Sequence, residues 1–203
     1  MEEDPVTRTT AGYDDVAPVF AEHTEHPAPE FVAFRGRFAA VLPPGRVADL
    51  GCGPGRDAAW FRERGLSVVA IDRSAGMLRL AAARGVPAVL GDLRRPPLAP
   101  GSLAGLWSSA ALLHVPAAET GPTLRAWAAT LRPGGVLGLS TSAGDGESWE
   151  YHGYDTELTR YFVHRDPDTL LAELESAGFE VLEHERTVQR RTWLSVLAVR
   201  REV

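Results

Sequence analysis

The residues best suited to chemistry gather in one short stretch, Asp49-Leu-Gly-Cys-Gly-Pro-Gly55. Glycine at alternate positions lets a backbone approach a ligand closely and take positive φ. A carboxylate two residues ahead of the first glycine disfavours a pyrophosphate and suits a ligand with a cationic amino group. A dinucleotide loop requires G-x-G-x-x-G. Counted from Gly51, the second glycine is Gly53, but the third-glycine position holds Arg56. Two more acids follow apolar runs: Asp72 closes Val-Val-Ala-Ile-Asp, and Asp92 lies in Gly91-Asp92-Leu93. A carboxylate at such a place can accept hydrogen bonds from two hydroxyl groups. His114, in Leu-Leu-His-Val-Pro, is a candidate base whose unperturbed pKa lies near working pH. The single cysteine, Cys52, has no neighbouring base and reads as a small loop residue rather than a nucleophile. Arg56 and Asp57, at the start of the following helix, either pair with each other or shape the ligand pocket.

The elements that must position these residues alternate. Residues 1–12 are polar and read as loose. A helical pattern covers 13–42, broken at Pro27 and Pro29, with Val16, Val19 and Phe20 on one face and Phe31, Phe34, Phe38 and Leu42 on another. Strands are expected at 46–50, 67–71, 88–90, 103–108 and 136–140. Helices are expected at 56–64, 74–84 and 122–131, with Gly65 and Gly85 ending the first two. This alternation implies a parallel, doubly wound sheet. After a helix at 168–177 the rhythm changes: strands at 179–188 and 192–199 are separated by only a few residues. So short a connection cannot cross over, so these two strands form an antiparallel hairpin. Residues 142–164 form an insert of aromatic and acidic residues, read as a lid or a substrate-binding segment.

Composition narrows the chemistry. The chain has 203 residues and a formal charge of −6, and all 21 of its basic residues are arginine. Without lysine there is no Schiff-base chemistry and no Walker-type phosphate loop. One cysteine allows neither an internal disulfide nor a cysteine zinc site, and no metal site is expected. The acidic balance argues against a nucleic-acid partner. No apolar run is long enough to span a membrane and the first residues do not read as a signal peptide, so a cytoplasmic protein, monomer or homodimer, is expected.

The segment 49–55 (DLGCGPG) resembles motif I of the class I S-adenosylmethionine-dependent methyltransferases, and the likeness extends over nearly the whole chain. Asp72 matches the acid that these enzymes set on the ribose hydroxyls, and Gly91-Asp92-Leu93 matches the segment that reads the adenine edge. Leu131-Arg-Pro-Gly-Gly135 matches the turn before strand five, and the closing hairpin matches strands six and seven. The resemblance implies a Rossmann-like α/β fold: a seven-stranded, mostly parallel sheet with an antiparallel C-terminal strand and helices on both faces. It implies one domain over 1–203, with 13–42 as a helical cap and S-adenosylmethionine as cofactor. The residues implied to hold the cofactor are Asp49, Gly51, Cys52, Gly53, Gly55, Asp72, Arg73, Met77, Asp92, Leu93 and Ser109. In phosphoethanolamine methyltransferases a tyrosine from the N-terminal helix pairs with a histidine in a stretch similar to that of His114; Tyr13 lies in a comparable place.

The acceptor is expected to be a small molecule of specialised metabolism, methylated at nitrogen or oxygen. No Asn/Asp-Pro-Pro-Tyr motif follows strand four, where the sequence reads Ser108-Ser-Ala-Ala111. Trp149, Tyr151, Arg160 and Tyr161 of the insert are candidate acceptor contacts, with Tyr154 and His152 nearby. Glu147, Glu150, Asp155 and Glu157 make the insert acidic, which would suit an amine. Two other readings stand beside this one: a non-catalytic S-adenosylmethionine-binding protein and an NAD-dependent dehydrogenase.

Overall fold

The structure is a computed structural model that describes residues 3–153 and 157–202. Tyr154, Asp155 and the side chains of His152 and Glu157 lie outside the described residues. The strands are β1 (Arg46–Leu50), β2 (Ser67–Asp72), β3 (Ala88–Leu90), β4 (Leu103–Ser109), β5 (Leu131–Ser142), β6 (Glu147–Gly153), β7 (Glu157–Val163), β8 (Phe179–Val188) and β9 (Thr192–Arg200). The helices are α1 (Pro5–Thr24), α2 (Pro29–Val41), α3 (Arg56–Glu63), α4 (Ala75–Ala83), α5 (Thr120–Thr130) and α6 (Pro167–Ser176).

Seven strands form one sheet in the order β3-β2-β1-β4-β5-β9-β8. β1 to β5 are mutually parallel, and β9 runs antiparallel to both β5 and β8. The closing hairpin is therefore present, and the fold is the Rossmann-like α/β sheet that the sequence implied. The strand order reverses between β1 and β4, so their carboxyl ends flank the crevice where ligands of such sheets bind.

Strands buried on both faces feed two cores. In β4, Leu106 points into one core with Leu124, Leu139 and Val196, while its neighbour Trp107 points into the other with Phe34, Phe38 and Phe61. The two-residue period of the strand makes that division. Trp107, Phe38 and Phe61 are fully enclosed, and burying each such side chain contributes roughly 1.5–3 kcal/mol.

Three features differ from the sequence expectation, one being that Leu131–Gly135, expected as a turn, already belongs to β5 and pairs through Leu131 with Leu103 of β4. Residues 5–12 are helical rather than loose: Asp4 caps α1 through Val6 N, Pro5 occupies the first turn, and Val6 and Thr9 are buried. A capped start and two inward residues at helical spacing outweigh the polar composition. The insert folds as a β6–β7 hairpin, a separate two-stranded sheet. It packs against α1, where Gly12 leaves room for Leu158: a Cβ at Gly12 would lie 2.6 Å from its side chain. No helix among the described residues is long and apolar enough to cross a membrane.

Candidate active site

The glycine loop is pinned to the end of β2. The Gly51 and Cys52 amides donate to the Ile71 carbonyl at 2.8 and 3.2 Å. Gly51 has φ +69°, and a Cβ there would lie 2.3 Å from Ala111 Cβ. Gly55 has φ +77° and abuts the α4 backbone at Ala81, so α3 and α4 can meet only across a glycine. Gly53 differs: it too has positive φ, but the nearest atom to a Cβ would be 3.8 Å away, on Phe20. Its free side faces a cavity of about 200 Å³ at the carboxyl ends of β1, β2 and β4.

Asp72 is held at the rim of that cavity. Its Oδ2 accepts from Gly53 N at 2.8 Å and its Oδ1 from Ser74 N at 2.9 Å. Each oxygen keeps a lone pair for a further donor. Burial pushes the Asp72 carboxyl up, and the Ser74 and Gly53 amides only partly offset this. Burial, reinforced by the charge of Asp57, pushes Asp49 well above the usual carboxylate range. Asp49, Asp57 and Asp72 line the cavity together with Arg56 and Arg73.

Arg73, Met77, Gly91, Leu93 and Ser109 also face the cavity, as do Gly51, Cys52 and Gly53 of the loop. The Asp92 carboxylate is not part of the lining. It accepts from Arg73 Nη1 at 2.9 Å and Arg94 Nη2 at 2.7 Å. Arg94 also reaches Asp4 and Glu119, and Arg73 reaches Thr7, so this ionic cluster ties the start of α1 to the sheet. Burial raises the Cys52 thiol well above its usual pKa, which fits a loop residue and not a nucleophile.

Arg56 and Asp57 do pair, with Arg56 Nε 3.1 Å from Asp57 Oδ1. Asp57 is also tied to Arg35 Nη1 at 2.6 Å and Trp107 Nε1 at 3.0 Å. The sequence reading missed both of those partners. It also missed Val6, Thr9 and Phe20, through which α1 covers the cavity. The only available signal was their helical spacing, and the polar residues between them concealed it.

A second cavity, of about 280 Å³, adjoins the first; Tyr13, Phe20, Arg56, Ser109, Ala110 and His114 line both. Ala110 sits at this boundary with φ +55°, a strained conformation for a residue with a side chain. Here a hydrogen-bonded chain is assembled. His114 Nδ1 lies 2.7 Å from the Tyr161 carbonyl, which can only accept, so Nδ1 carries the proton. Nε2 is left as an acceptor, 2.9 Å from Tyr13 OH, which donates to it. Arg160 Nη1 in turn donates to Tyr13 OH at 2.8 Å. Burial lowers the His114 pKa to about 3, with Arg160, Arg165 and Arg191 adding to the effect. Arg165 holds the backbone beside it, donating to the Val115 carbonyl at 2.8 Å.

Of the four insert candidates, Arg160 alone lines either of these two cavities. Strand parity explains this. Glu150 pairs with Arg160 and Ser148 with Phe162, and Arg160 and Phe162 face the cavity. Trp149 and Tyr161 lie on the opposite face of the hairpin, packed on each other at 5.4 Å, with the Arg8 guanidinium 4.3 Å from the Trp149 ring. Tyr151, on the same side, is exposed. Among the acids, Glu147 accepts from Ala117 N, while Glu150 pairs with His164 and Arg191.

The family model described as a methyltransferase domain matches residues 47–135, from β1 through the glycine loop into the first residues of β5. A structure of an S-adenosylmethionine-dependent methyltransferase from Mesorhizobium loti superposes with a TM-score of 0.69 at 27% identity, covering 86% of this chain and 99% of that one. The matched segment, the fold and this structure support a class I S-adenosylmethionine-dependent methyltransferase. Two curated methyltransferases align over part of their length. The malonyl-[acyl-carrier protein] O-methyltransferase of Enterobacter lignolyticus is 34% identical over 66% of this chain and 53% of its own. The trans-aconitate 2-methyltransferase of Mycobacterium tuberculosis is 38% identical over 62% of this chain and 46% of its own. The chain thus spans about half the length of the curated relatives it matches.

The cofactor of this methyltransferase family is S-adenosylmethionine. The residues present fit it: the glycine loop leaves its backbone open to a ligand at Gly53, and Asp72 has lone pairs left for a ribose diol. Substituting Asp72 by alanine should weaken binding of S-adenosylmethionine by about 1–3 kcal/mol, the scale of hydrogen bonds to a charged group. Isothermal calorimetry checks this, and an unchanged Kd would remove Asp72 from the cofactor site.

Proposed function

We propose that the protein transfers the methyl group of S-adenosylmethionine to an oxygen or nitrogen of a small-molecule acceptor held in the second cavity. The supporting observation is the contact between the two cavities at Tyr13, Ala110 and His114, where a methyl group could pass directly from one ligand to the other. Bound S-adenosylmethionine supplies a methyl group activated on a sulfonium, so the protein's task is to position the acceptor and exclude water. One relative is named as an O-methyltransferase of malonyl-[acyl-carrier protein], which favours oxygen transfer, and another for trans-aconitate, which favours a small acceptor.

In this reading Asp49, Gly51, Gly53 and Asp72 hold the cofactor, with Arg73, Met77 and Leu93 beside the adenine and Asp92 fixing Arg73. Tyr13 orients the acceptor, and His114 positions Tyr13. With Nδ1–H bound to a carbonyl and Nε2 taken by Tyr13, His114 keeps the tyrosine hydroxyl in one orientation. Its lowered pKa makes it a poor proton acceptor, so the pair suits an acceptor that arrives already deprotonated.

Tyr13→Phe should lower kcat roughly 10- to 100-fold through misplacement of the acceptor, while the Kd for S-adenosylhomocysteine stays unchanged. Single-turnover transfer of a labelled methyl group, measured over carboxylic acids, phenols and amines, tests the function itself. Cofactor binding without transfer to any acceptor would favour the non-catalytic reading. NAD bound in preference to S-adenosylmethionine would overturn the cofactor assignment.

A further inference from the structure

The second cavity carries a consistent charge. Arg56, Arg160 and Arg191 line it, with His23, His26 and His114, and no Asp or Glu among the described residues does. Glu147 and Glu150 of the insert are not part of its lining. Asp57 holds Arg56, and Glu150 holds Arg191 through Nη2 at 2.9 Å.

Arg191 is the informative residue. It sits in the turn between β8 and β9, with its guanidinium 4.2 Å from the Phe162 ring centroid. Its Nη1 is buried and has no hydrogen-bond partner among the described residues. A buried donor without a partner is costly, and a charged one more so. A ligand that supplies an anionic oxygen there would remove the cost. Around it the walls are apolar: Phe31, Phe162 and Trp193 line the same cavity.

We infer that this cavity is an anion subsite, in which Arg191 seats the carboxylate of a carboxylic-acid acceptor whose apolar body packs on Phe31, Phe162 and Trp193. The inference rests on the methyl-transfer reading above. The carboxylate form follows from the chemistry at the boundary. A carboxylate is ionised at neutral pH and releases no proton when an oxygen gains a methyl group. Its O–C bond forms as the sulfonium C–S bond breaks, with the bonding pair left on sulfur. The acceptor loses its negative charge, the sulfonium its positive one, and the product is a neutral methyl ester. The Tyr13–His114 pair need not take up a proton in such a step. A cationic amine, by contrast, would meet basic side chains and no lining carboxylate among the described residues.

Calorimetry with benzoate, benzamide, benzylamine and phenyl phosphate tests the subsite on the full chain, both alone and saturated with S-adenosylhomocysteine. Benzoate should bind at least 10-fold more tightly than benzamide, and benzylamine should not compete. Arg191→Gln should erase the preference while leaving the Kd for S-adenosylhomocysteine unchanged. Glu150→Gln, which releases Nη2 of Arg191, should preserve or strengthen benzoate binding, so loss of affinity in Arg191→Gln cannot be ascribed to a broken Arg191–Glu150 pair. With labelled S-adenosylmethionine, any product should be base-labile, as esters are. Benzoate binding no better than benzamide, or phenyl phosphate alone binding, would overturn the carboxylate subsite even if the cofactor binds and amines or phenols are methylated. Failure to bind S-adenosylhomocysteine would instead strike the underlying methyltransferase reading, and the benzoate–benzamide comparison on the chain alone would still decide the subsite.

Discussion

Asp57→Ala should lower folding stability by about 3–5 kcal/mol, the cost of removing one partner from a buried charge pair. Asp57 and Arg35 are 8% and 6% exposed, and their side chains meet at 2.6 Å. The carboxylate also accepts from Arg56 and from the indole of Trp107. Burial pushes its pKa up, but the charges of Arg56 and Arg35 and the Trp107 hydrogen bond hold it below the usual carboxylate value. Truncation leaves the Arg35 guanidinium and the Trp107 N–H in the second core without acceptors. Urea denaturation of the unliganded protein measures the loss. The double variant Arg35→Met, Asp57→Ala should recover part of it, because an apolar pair carries no desolvation penalty. A midpoint unchanged from wild type in Asp57→Ala would show that this buried network adds nothing to stability. Lying also on the cofactor cavity, Asp57 couples cofactor binding to folding, and the effect must be read without ligand.

Acid should destabilise the protein through His114. Its folded pKa of about 3 lies below the unfolded value near 6.5, because burial disfavours the charged ring and three arginines repel it. The unfolded chain therefore takes up the proton first. The contribution is complete above pH 6.5 and is lost as pH falls toward 3, on the order of 5 kcal/mol in all. About 2–3 kcal/mol of this should be gone at pH 4.5. Asp49 and Asp72, whose carboxyl pKa values are raised, act in the opposite sense. The His114 share is thus the difference in pH dependence between wild type and His114→Gln. Parallel stability curves for the two proteins between pH 7.5 and 4.5 would show that His114 is hydrated and titrates normally. The same lowered pKa predicts no His114 inflection in kcat between pH 6 and 8.

Much of this protein was legible in its order of residues. The alternation of apolar runs with capped helices dictates the parallel sheet, and the few residues between β8 and β9 forbid a crossover. The spacing of Asp49, the three loop glycines and Asp72 sets the cofactor end of the site, because loop and acid belong to consecutive strands paired in register, Leu50 against Ile71. These are short-range constraints, expressed within one βαβ unit. The acceptor end depended on packing between distant segments. Tyr13 and His114 are 101 residues apart and meet only because α1 crosses the sheet's carboxyl edge. Arg191, in a turn that sequence marks only as a connection, faces the cavity because the β8–β9 hairpin lies beside β5. In the insert, aromatic and acidic residues alternate, and composition cannot say which parity faces inward. The hairpin register places Arg160 and Phe162 there and turns Trp149 and Tyr151 away. The local pattern determined which cofactor chemistry the chain can hold. The tertiary structure decided the charge that the acceptor meets, because charge in a cavity is a sum over side chains that no single stretch of sequence brings together.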